Sequence, residues 1–372
     1  MSRPPVIVLS GVRWDFLWQR HHALATMFAR AGYPTVFVET TGLANPSGPT
    51  LRTVASRIWH AGDARHPGEK ELTVYTPLVL PPTYKTFRRV NRRLFVPRVV
   101  EDLLEITGPH PVVVAYPPTQ TTLDLLSGLR PRAIFYDCSD DYDQFPGVPE
   151  DVAATERELI LLADLVSCTS TYLLEKVKLI RRDAFLSPPA VDYERFAVLQ
   201  GGEPGNDIHT VCFFGRLSRE RTDFVALRAV AGAGFEVRLL GDLGRVDEDF
   251  LRMPGVDFRG EVSHAKLPAA LAGVDAFALP YVFNDLTTGI SPAKTYECLA
   301  TGLPVVASPL PALEELAGSV YLARRPQEFV DVLQNLGALE TEEKVRARIE
   351  LARRNSWEVR FAEIEEALWR VL

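Results

Sequence analysis

Short apolar runs that alternate with longer amphipathic stretches constrain this chain more than any other feature. In its first half, helical patterns such as residues 21–31 and 150–163 separate the runs. The runs are VIVLS (6–10), TVFVE (35–39), VVVA (112–115), AIFYD (133–137) and LVSCTS (165–170). Continuous apolar strands separated by helices indicate parallel strands that are covered on both faces. The pattern therefore predicts an α/β fold with a doubly wound parallel sheet.

The same pattern starts again after a polar, glycine-rich stretch, QGGEPGND, at residues 200–207. The later runs are TVCFFGR (210–216), FEVRLLG (235–241), VDFRG (256–260), AFALP (276–280) and PVVAS (304–308). At 372 residues the chain is also too long for one typical domain. We therefore predict two doubly wound domains, residues 1–200 and 208–355, followed by an amphipathic helix over 356–372. Two such domains in tandem would leave a cleft at the carboxyl ends of their strands.

The composition is that of a globular protein with a slightly acidic balance. Hydrophobic residues make up 47% and charged residues 24%, and the formal net charge is −7. This charge argues against a nucleic-acid-binding protein, which usually carries a basic excess. The four cysteines are scattered without C-x-x-C spacing, which favours reduced, buried thiols. No apolar run is long enough to cross a bilayer, and the N-terminus does not fit a signal peptide. We expect a soluble, cytoplasmic protein.

One segment departs from this acidic balance: PPTYKTFRRVNRRLFVPR, residues 81–98. It carries six basic residues and no acidic residue, while Phe87, Val90 and Leu94 recur at helical spacing. A basic amphipathic helix with aromatic residues suits an anionic membrane surface, so peripheral contact with the inner face of a membrane through residues 84–98 is one expectation. The alternative is a solvated helix that packs its apolar stripe on its own domain.

Phosphate binding is indicated at one of the glycine-containing turns. The turn after the first strand lacks the G-x-G-x-x-G pattern of dinucleotide folds, and no Walker A sequence occurs in the chain. FGRLSRERTD (214–223) instead brings Arg216, Arg219 and Arg221 to the end of a predicted strand and the start of a helix. Arginines beside helix N–H groups suit a diphosphate. Neutralisation of these arginines by neighbouring carboxylates and solvent is the alternative.

The stretch GISPAKTYECLATGLPVVAS, residues 289–308, places Lys294 and Glu297 three residues apart in a run that otherwise resembles protein core. Pro292 suits the first turn of a helix, so both charged residues lie on one helix face. A lysine near a helix N-terminus opposes the macrodipole unless an anion compensates it. A carboxylate one turn further on can accept the hydroxyls of a ribose. The two interpretations are an intrahelical ion pair and a ligand site.

Several segments together resemble the donor-binding half of GT-B glycosyltransferases of the GT4-like group, which includes many bacterial sugar transferases of the retaining type. They are PPAVDYERF (188–196), FGRLSRER (214–221), GEVSHAKLPAALAGVDAFALP (260–280) and SPAKTYECLATGLPVVAS (291–308). The resemblance covers roughly residues 130–370. It implies the GT-B architecture, in which two Rossmann-like domains face a cleft and a C-terminal helix crosses back onto the first domain.

The resemblance also implies a site for a nucleotide-diphosphate sugar in the second domain. Arg216 and Arg221 would hold the diphosphate, Glu297 the ribose, and Lys294 would lie near phosphate or sugar. The implied donor-binding residues are Gly215, Arg216, Arg221, Gly289, Ile290, Ser291, Lys294 and Glu297. No metal and no cofactor is implied beyond the nucleotide sugar, which is a co-substrate.

Two positions depart from the family's pattern. The first glutamate of the family's Glu-x7-Glu pair is Gly289 here, with Asp285 nearby as a substitute. The histidine that often follows a first-domain strand is absent from the comparable stretch AYPPTQ (115–120). The nature of the transferred sugar therefore stays open.

Polar residues at the strand ends of the first domain are candidates for the acceptor side. His21 opens the first helix, and Asp140 and Asp141 follow another strand. A histidine at a helix start tends to be neutral and suits a base, and adjacent carboxylates raise one another's pKa and can hold a hydroxyl. We predict His21, Asp140 and Asp141 as catalytic residues. Helix capping by the aspartates and packing of the histidine are the alternatives.

These features together predict a glycosyltransferase that moves a sugar from a nucleotide-diphosphate donor to an acceptor hydroxyl. The acceptor would be a cell-surface polysaccharide or a lipid-linked intermediate, given the basic segment. A nucleotide-sugar mutase, epimerase or hydrolase on the same scaffold is a second hypothesis. A non-catalytic partner that binds nucleotide sugar is a third, motivated by Gly289.

Overall fold

The computed structural model of the chain describes residues 3–40, 62–82, 84–145, 147–201, 208–244 and 248–372. The chain divides into two compact units. The first comprises the residues up to Ser187 together with Phe361–Leu372, and the second is Pro188–Arg360. The sequence instead assigns residues 188–200 to the first domain.

The first unit is built on a twisted sheet with helices between its strands. The described strands are β1 Val6–Leu9, β2 Thr35–Val38, β3 Ala64–Arg65, β4 Leu72–Tyr75, β5 Val112–Ala115, β6 Ala133–Cys138, β7 Leu165–Cys168 and β8 Phe185–Leu186. Their order is β3-β4-β2-β1-β5-β6-β7-β8, and only the β3–β4 pair is antiparallel. Every residue of β1, β2 and β5 is buried, as expected for strands covered on both faces. The five predicted runs are confirmed as β1, β2, β5, β6 and β7.

The helices of the first unit follow the predicted alternation. They are α1 Arg20–Arg30, α2 Lys85–Val90, α3 Val96–Thr107, α4 Gln120–Leu129, α5 Val152–Leu162 and α6 Thr171–Lys178. A π-helical turn, Asn91–Phe95, joins α2 to α3, and a 3-10 turn spans Tyr142–Gln144. The basic segment is therefore two helices joined by a π turn, rather than the single helix that the sequence suggests.

The second unit repeats the architecture with a fully parallel sheet. Its described strands are β9 Thr210–Phe214, β10 Glu236–Leu240, β11 Val256–Phe258, β12 Ala276–Leu279, β13 Val305–Ala307 and β14 Tyr321–Leu322, in the order β11-β10-β9-β12-β13-β14. Its helices are α7 Tyr193–Ala197, α8 Phe224–Gly232, α9 Glu248–Leu251, α10 Leu267–Leu271, α11 Asp285–Thr288, α12 Lys294–Ala300, α13 Pro311–Glu314, α14 Pro326–Gln334, α15 Leu336–Leu339 and α16 Glu342–Arg354. The predicted second-domain runs are confirmed as β9 to β13, and so is the α/β fold class.

Residues 188–201 belong with the second unit because their apolar side chains lie in its core. Phe196 of α7 is fully buried in that core. Val191 pairs with Ser356 in an isolated parallel bridge. Only residues 200 and 201 of the predicted linker lie within the described residues. The stretch before the linker is therefore a structural part of the second unit.

The last helix, α17 Trp357–Trp369, returns to the first unit, as the sequence resemblance predicts. Phe361 packs edge-on against Phe28 of α1, with ring centroids 5.0 Å apart. The hydroxyl of Tyr33 donates a hydrogen bond to Glu365 at 2.7 Å. Trp369, which the sequence pattern places on the apolar side, is 43% exposed. No helix in the described part of the chain is long and apolar enough to span a bilayer.

Candidate functional site

The loop that follows β9 carries the predicted arginines and is joined to the loop that follows β12. Strands β9 and β12 are parallel neighbours, so both loops leave the same edge of the sheet. The Val282 amide donates to the Arg221 carbonyl at 3.1 Å. The Asn284 side-chain amide donates to the Glu220 carbonyl at 2.8 Å. The two loops therefore form one connected surface at the carboxyl ends of these strands.

Lys294 projects its ammonium group into this surface. The residue is partly exposed overall, but Nζ lies 4.2 Å from the centroid of the buried Phe213 ring, a cation–π contact. Burial lowers the pKa of Lys294 to about 8; the nearby charge of Glu297 opposes this shift, and the like charge of Arg221 adds to it. Among the described residues no carboxylate forms an ion pair with this lysine. An enclosed cation beside a second cation is costly alone and becomes favourable once an anion binds.

Glu297 is held by a different partner from the one that the sequence suggests. His264 Nε2 lies 3.0 Å from Glu297 Oε1, and Arg195 Nη1 lies 3.3 Å from His264 Nδ1. Because a guanidinium can only donate, Nδ1 of the neutral ring must accept, and its proton is on Nε2. His264 therefore donates to Glu297. The intrahelical ion pair between Lys294 and Glu297 does not form. Oε2 of Glu297 makes no hydrogen bond to the described residues and is available for a ligand.

Two glycines let the backbone and Lys294 approach closely at this edge. Gly215, directly after β9, has φ +111°, and a Cβ built there would lie 2.6 Å from Lys294 Nζ. Gly241, directly after β10, has φ +134°, and its Cβ would overlap the Gly215 carbonyl oxygen. Both the positive φ angles and the lack of space favour glycine. The Lys294 ammonium consequently lies against the Gly215 backbone.

The three arginines of the loop after β9 differ in their surroundings. Arg216 and Arg219 are exposed, and Arg216 Nε is 3.7 Å from Asp242 Oδ2. Arg221 is less exposed and is close enough to Lys294 to lower its pKa. The structure therefore brings Arg221 and Lys294 together and leaves Arg216 in a weak surface ion pair.

The expectation that free helix N–H groups beside these arginines help to bind a diphosphate is wrong. Helix α8 begins at Phe224, after the arginines, and its N-cap is Asp223. The Asp223 carboxylate accepts hydrogen bonds from the amides of Val225 and Ala226. The N–H groups that the sequence offers to a phosphate are thus occupied by an acidic cap.

The loop before α12 contains the remaining predicted donor residues. Gly289 is buried and ends α11 with φ −83°, so its backbone conformation does not require glycine. The Ile290 amide donates to the Thr287 carbonyl at 3.1 Å, and Ser291 is partly exposed. Asp285 lies exposed in the first turn of α11. The chain thus supplies no carboxylate at position 289 itself.

A second polar cluster lies at the strand ends of the first unit. Arg20 Nε donates to Asp137 Oδ2 at 2.7 Å, and Arg20 Nη2 donates to Ser187 Oγ at 2.8 Å. Ser167 Oγ donates to Asp137 Oδ1 at 2.6 Å. The Asp137 side chain is fully buried, and, although burial opposes it, the Arg20 charge lowers the pKa of Asp137. Both residues belong to the polar strand ends that the sequence offers to the acceptor, but their separation of 117 positions conceals the pairing.

His21, the first catalytic candidate, is buried beside that pair. Its ring stacks on Tyr116 with centroids 3.6 Å apart, and Nδ1 lies 2.9 Å from Ser10 Oγ. Burial lowers the pKa of His21 to about 3. The ring is therefore neutral at physiological pH, as the sequence predicts for this position.

The two aspartate candidates have different environments. Asp140 is partly exposed and accepts a hydrogen bond from Ser139 Oγ at 3.3 Å. Asp141 is buried and forms an ion pair with Lys176, which also contacts Asp143 at 3.1 Å. Burial raises the pKa of Asp141 against the effect of the lysine charge. The predicted catalytic role of these aspartates stays a prediction.

The sequence analysis did not single out His264 and Arg195, which orient Glu297. Both belong to segments that resemble the family, PPAVDYERF and GEVSHAKLP. His264 and Glu297 are separated by 33 positions, so no helical or strand periodicity links them and only the fold brings them together. In the described part of the chain, no group of three or more His, Cys, Asp or Glu residues is arranged to hold a metal ion.

Comparison with known proteins agrees with the geometry of the second unit. The family model described as "Glycosyl transferases group 1" matches residues 208–338, which contain Arg216, Arg221, Lys294 and Glu297. A Bacillus subtilis (strain 168) protein named as a teichuronic acid biosynthesis glycosyltransferase, TuaH, is 26% identical over 239 residues. That alignment spans 57% of this chain and 58% of the relative.

Solved structures with the same fold cover nearly the whole chain. Anabaena Alr3699/HepE in complex with UDP superposes with a TM-score of 0.63 at 15% identity, covering 99% of this chain and 100% of that one. A UDP-forming α,α-trehalose-phosphate synthase from Burkholderia xenovorans superposes with a TM-score of 0.65 at 12% identity, covering 99% of both chains. These likenesses establish the fold. The chain has the GT-B fold, and its residues 208–338 match the model of the group 1 glycosyl transferases.

Proposed function

We propose that this protein transfers a sugar from a nucleotide-diphosphate sugar to an acceptor hydroxyl. The observation that carries the proposal is the cluster of Lys294, Arg221 and Glu297 at the carboxyl ends of β9 and β12. Two cations that repel each other, one of them enclosed and without an ion pair to any described carboxylate, favour an anionic ligand. A diphosphate leaving group fits this charge, and its stabilisation lowers the barrier to transfer.

Each residue of the cluster has a proposed role in binding the donor. Lys294 and Arg221 hold the diphosphate, helped by the exposed Arg216, and Glu297 accepts the ribose hydroxyls through its available oxygen. Gly215 lets the diphosphate approach the backbone, and residues 289–291 line the sugar end. UDP is the nucleotide we propose, because the Anabaena structure contains it and the Burkholderia enzyme forms it by name.

The acceptor is proposed to be a glycan. The relative named for teichuronic acid biosynthesis supports a cell-surface polysaccharide or its lipid-linked precursor. We place His21 and Asp140 on the acceptor side and expect retention of the anomeric configuration, as the family resemblance implies. The protein would act in the cytoplasm without a bound metal, with residues 84–98 in peripheral contact with the membrane.

Calorimetric titration of the purified chain with UDP tests the donor site. Arg221→Ala is expected to weaken binding by at least about tenfold, because a charge-assisted hydrogen bond is worth roughly 1.5–3 kcal/mol. Arg219→Ala removes the same charge from an exposed position of the same loop and serves as the matched control. Equal affinities for the two variants would contradict the site assignment.

Transfer itself needs a separate assay, because binding alone does not distinguish the alternatives. UDP-sugars are incubated with and without a polysaccharide or lipid-linked acceptor, and the products are followed by NMR. Transfer only in the presence of acceptor supports the proposal. Rearranged or hydrolysed donor without acceptor would identify a mutase, epimerase or hydrolase. Tight binding with no turnover would indicate a non-catalytic partner.

A further inference from the structure

Helix α2 and the π turn after it expose apolar and basic side chains together. None of the residues of α2 is buried. Tyr84 is 57% exposed, Phe87 36% and Leu94 66%. The rings of Tyr84 and Phe87 contact each other edge-on at 5.4 Å. Of the predicted apolar stripe, Leu94 is largely exposed and Phe87 and Val90 are only partly covered, so the stripe does not pack fully on its own domain.

Three cations lie among these apolar residues without acidic partners. Lys85, Arg89 and Arg93 are exposed, and within the described residues none of them forms an ion pair. We call Tyr84, Lys85, Phe87, Arg89, Arg93 and Leu94 together the basic–apolar face. Cations recur at every fourth position along it, as expected for one side of a helix.

Other side chains of the same segment fix it to the first unit by polar contacts. Arg88 forms an ion pair with Asp151, and Arg92 Nη2 lies 2.8 Å from Asp124 Oδ1. Asn91 is fully buried and exchanges two hydrogen bonds of 2.8 Å with the backbone of Leu80. The segment is therefore anchored to the first unit while the six side chains of the basic–apolar face stay exposed.

An anionic bilayer surface matches this side better than solvent does. These charges have one sign and no ion-pair partner in the described part of the chain, while the chain as a whole carries −7. An anionic membrane therefore attracts this face and repels most of the protein. Tyrosine and phenylalanine rings are suited to the headgroup region, and leucine to the acyl boundary just below it. Two kinds of attraction therefore act at the same place.

We propose that the basic–apolar face docks this protein onto an anionic lipid bilayer, with Lys85, Arg89 and Arg93 on the lipid phosphates and Phe87 and Leu94 inserted at the headgroup boundary. This inference rests on the membrane contact in the proposed function and does not depend on the donor site. Docking would bring the enzyme to a lipid-linked acceptor.

Co-sedimentation of the full chain with vesicles tests the proposal. The chain is expected to bind vesicles of equimolar phosphatidylglycerol and phosphatidylcholine, to bind pure phosphatidylcholine far less, and to be released by salt. Lys85→Gln/Arg89→Gln/Arg93→Gln is expected to lose roughly a hundredfold in partitioning, since each cation contributes about fivefold. Phe87→Ser/Leu94→Ser is expected to weaken binding even at low salt.

The matched control removes three cations elsewhere in the same unit. Arg132, Lys178 and Arg182 are exposed and form no ion pair among the described residues, so their triple glutamine variant has the same net charge. It is expected to bind vesicles like the unmodified chain. Equal loss in both triple variants, or no binding of the unmodified chain to anionic vesicles, would overturn the proposal. UDP titration of the same variants, without vesicles, reports separately on the donor site.

Discussion

Replacement of Lys294 by methionine should make the free protein more stable while it removes nucleotide binding. The Lys294 ammonium is enclosed against Phe213 and the backbone of Gly215, with no carboxylate partner among the described residues. Methionine has a similar length, fills the same space and carries no charge. The variant therefore removes an electrostatic cost without opening a large cavity.

The size of the gain follows from the pKa of Lys294. Burial lowers that pKa from 10.5 to about 8, and at about 1.36 kcal/mol per pKa unit this corresponds to a cost of about 3.4 kcal/mol for the charged form. The cation–π contact with Phe213 returns roughly 0.5–2 kcal/mol of that cost. The free energy of unfolding of Lys294→Met should therefore exceed that of the unmodified chain by about 1–3 kcal/mol near neutral pH.

The pH dependence gives the prediction a distinctive sign. Below the folded-state pKa of about 8, the lysine is charged in both states and the cost is complete. As the pH rises from about 8 to 10.5, the folded protein loses the proton first and the cost disappears. The advantage of the variant should thus shrink over this range, by at most the roughly 1–3 kcal/mol that is present near neutral pH. Urea unfolding at several pH values measures it.

Lys266→Met is the matched control for this measurement. Lys266 is exposed in the 3-10 turn His264–Lys266, so its replacement should change the free energy of unfolding by less than about 0.5 kcal/mol. UDP titration completes the test, because Lys294→Met should bind UDP far more weakly while Lys266→Met binds it normally. A less stable Lys294→Met variant that binds UDP with unchanged affinity would refute the reasoning.

Three further outcomes are expected. His264→Ala should weaken UDP binding roughly fivefold, since one charge-assisted hydrogen bond to the ribose-site carboxylate is lost. His264→Asn, which keeps a hydrogen-bond donor at this position, should restore part of the affinity measured by calorimetry. Identical UDP affinities of His264→Ala and His264→Asn would argue against a positioning role for His264. Gly215→Ala should abolish UDP binding while the protein still folds, because its Cβ would displace the enclosed ammonium. Gly234→Ala, at φ +96° with open space around it, should show backbone strain alone in a thermal melt and bind UDP normally. Burial lowers the pKa of His21 from 6.5 to about 3 in the folded protein. Below about pH 6.5, the imidazole is therefore protonated in the unfolded chain and stays neutral in the folded protein. In urea unfolding, the free energy of unfolding of the unmodified chain should then fall relative to that of His21→Gln by up to about 1.4 kcal/mol per pH unit. The same pH dependence in both proteins would contradict this.

Most of the sheet structure could be predicted from local sequence. Runs such as VVVA are apolar throughout because β5 is covered on both faces, and that signal needs no knowledge of the rest of the chain. Strands β3, β8 and β14 have only two residues each and carry too short a pattern to be predicted, whereas β4 is as long as β5 and was also not predicted. The early start of the second unit was missed because a polar linker is easier to recognise than the packing of Phe196.

The sequence likewise predicted some features of the proposed site and not others. The order of motifs predicted the family and placed Gly215, Arg221, Lys294 and Glu297 in one site, because motif spacing within a family follows its fold. Spacing alone could not show that Glu297 pairs with His264 rather than with Lys294, since helical periodicity defines a face and not its contacts.

The sequence by itself determined the fold class, the two-unit plan and the residue types of the proposed donor site, because these depend on periodicity and on motifs that are local in the chain. The tertiary structure decided which charges are satisfied. It enclosed Lys294 without an ion pair to any carboxylate that the structure describes, buried the Arg20–Asp137 pair and left Phe87 and Leu94 exposed. The energy of a charge or an apolar side chain depends on its neighbours in space, and those neighbours come from distant parts of the chain.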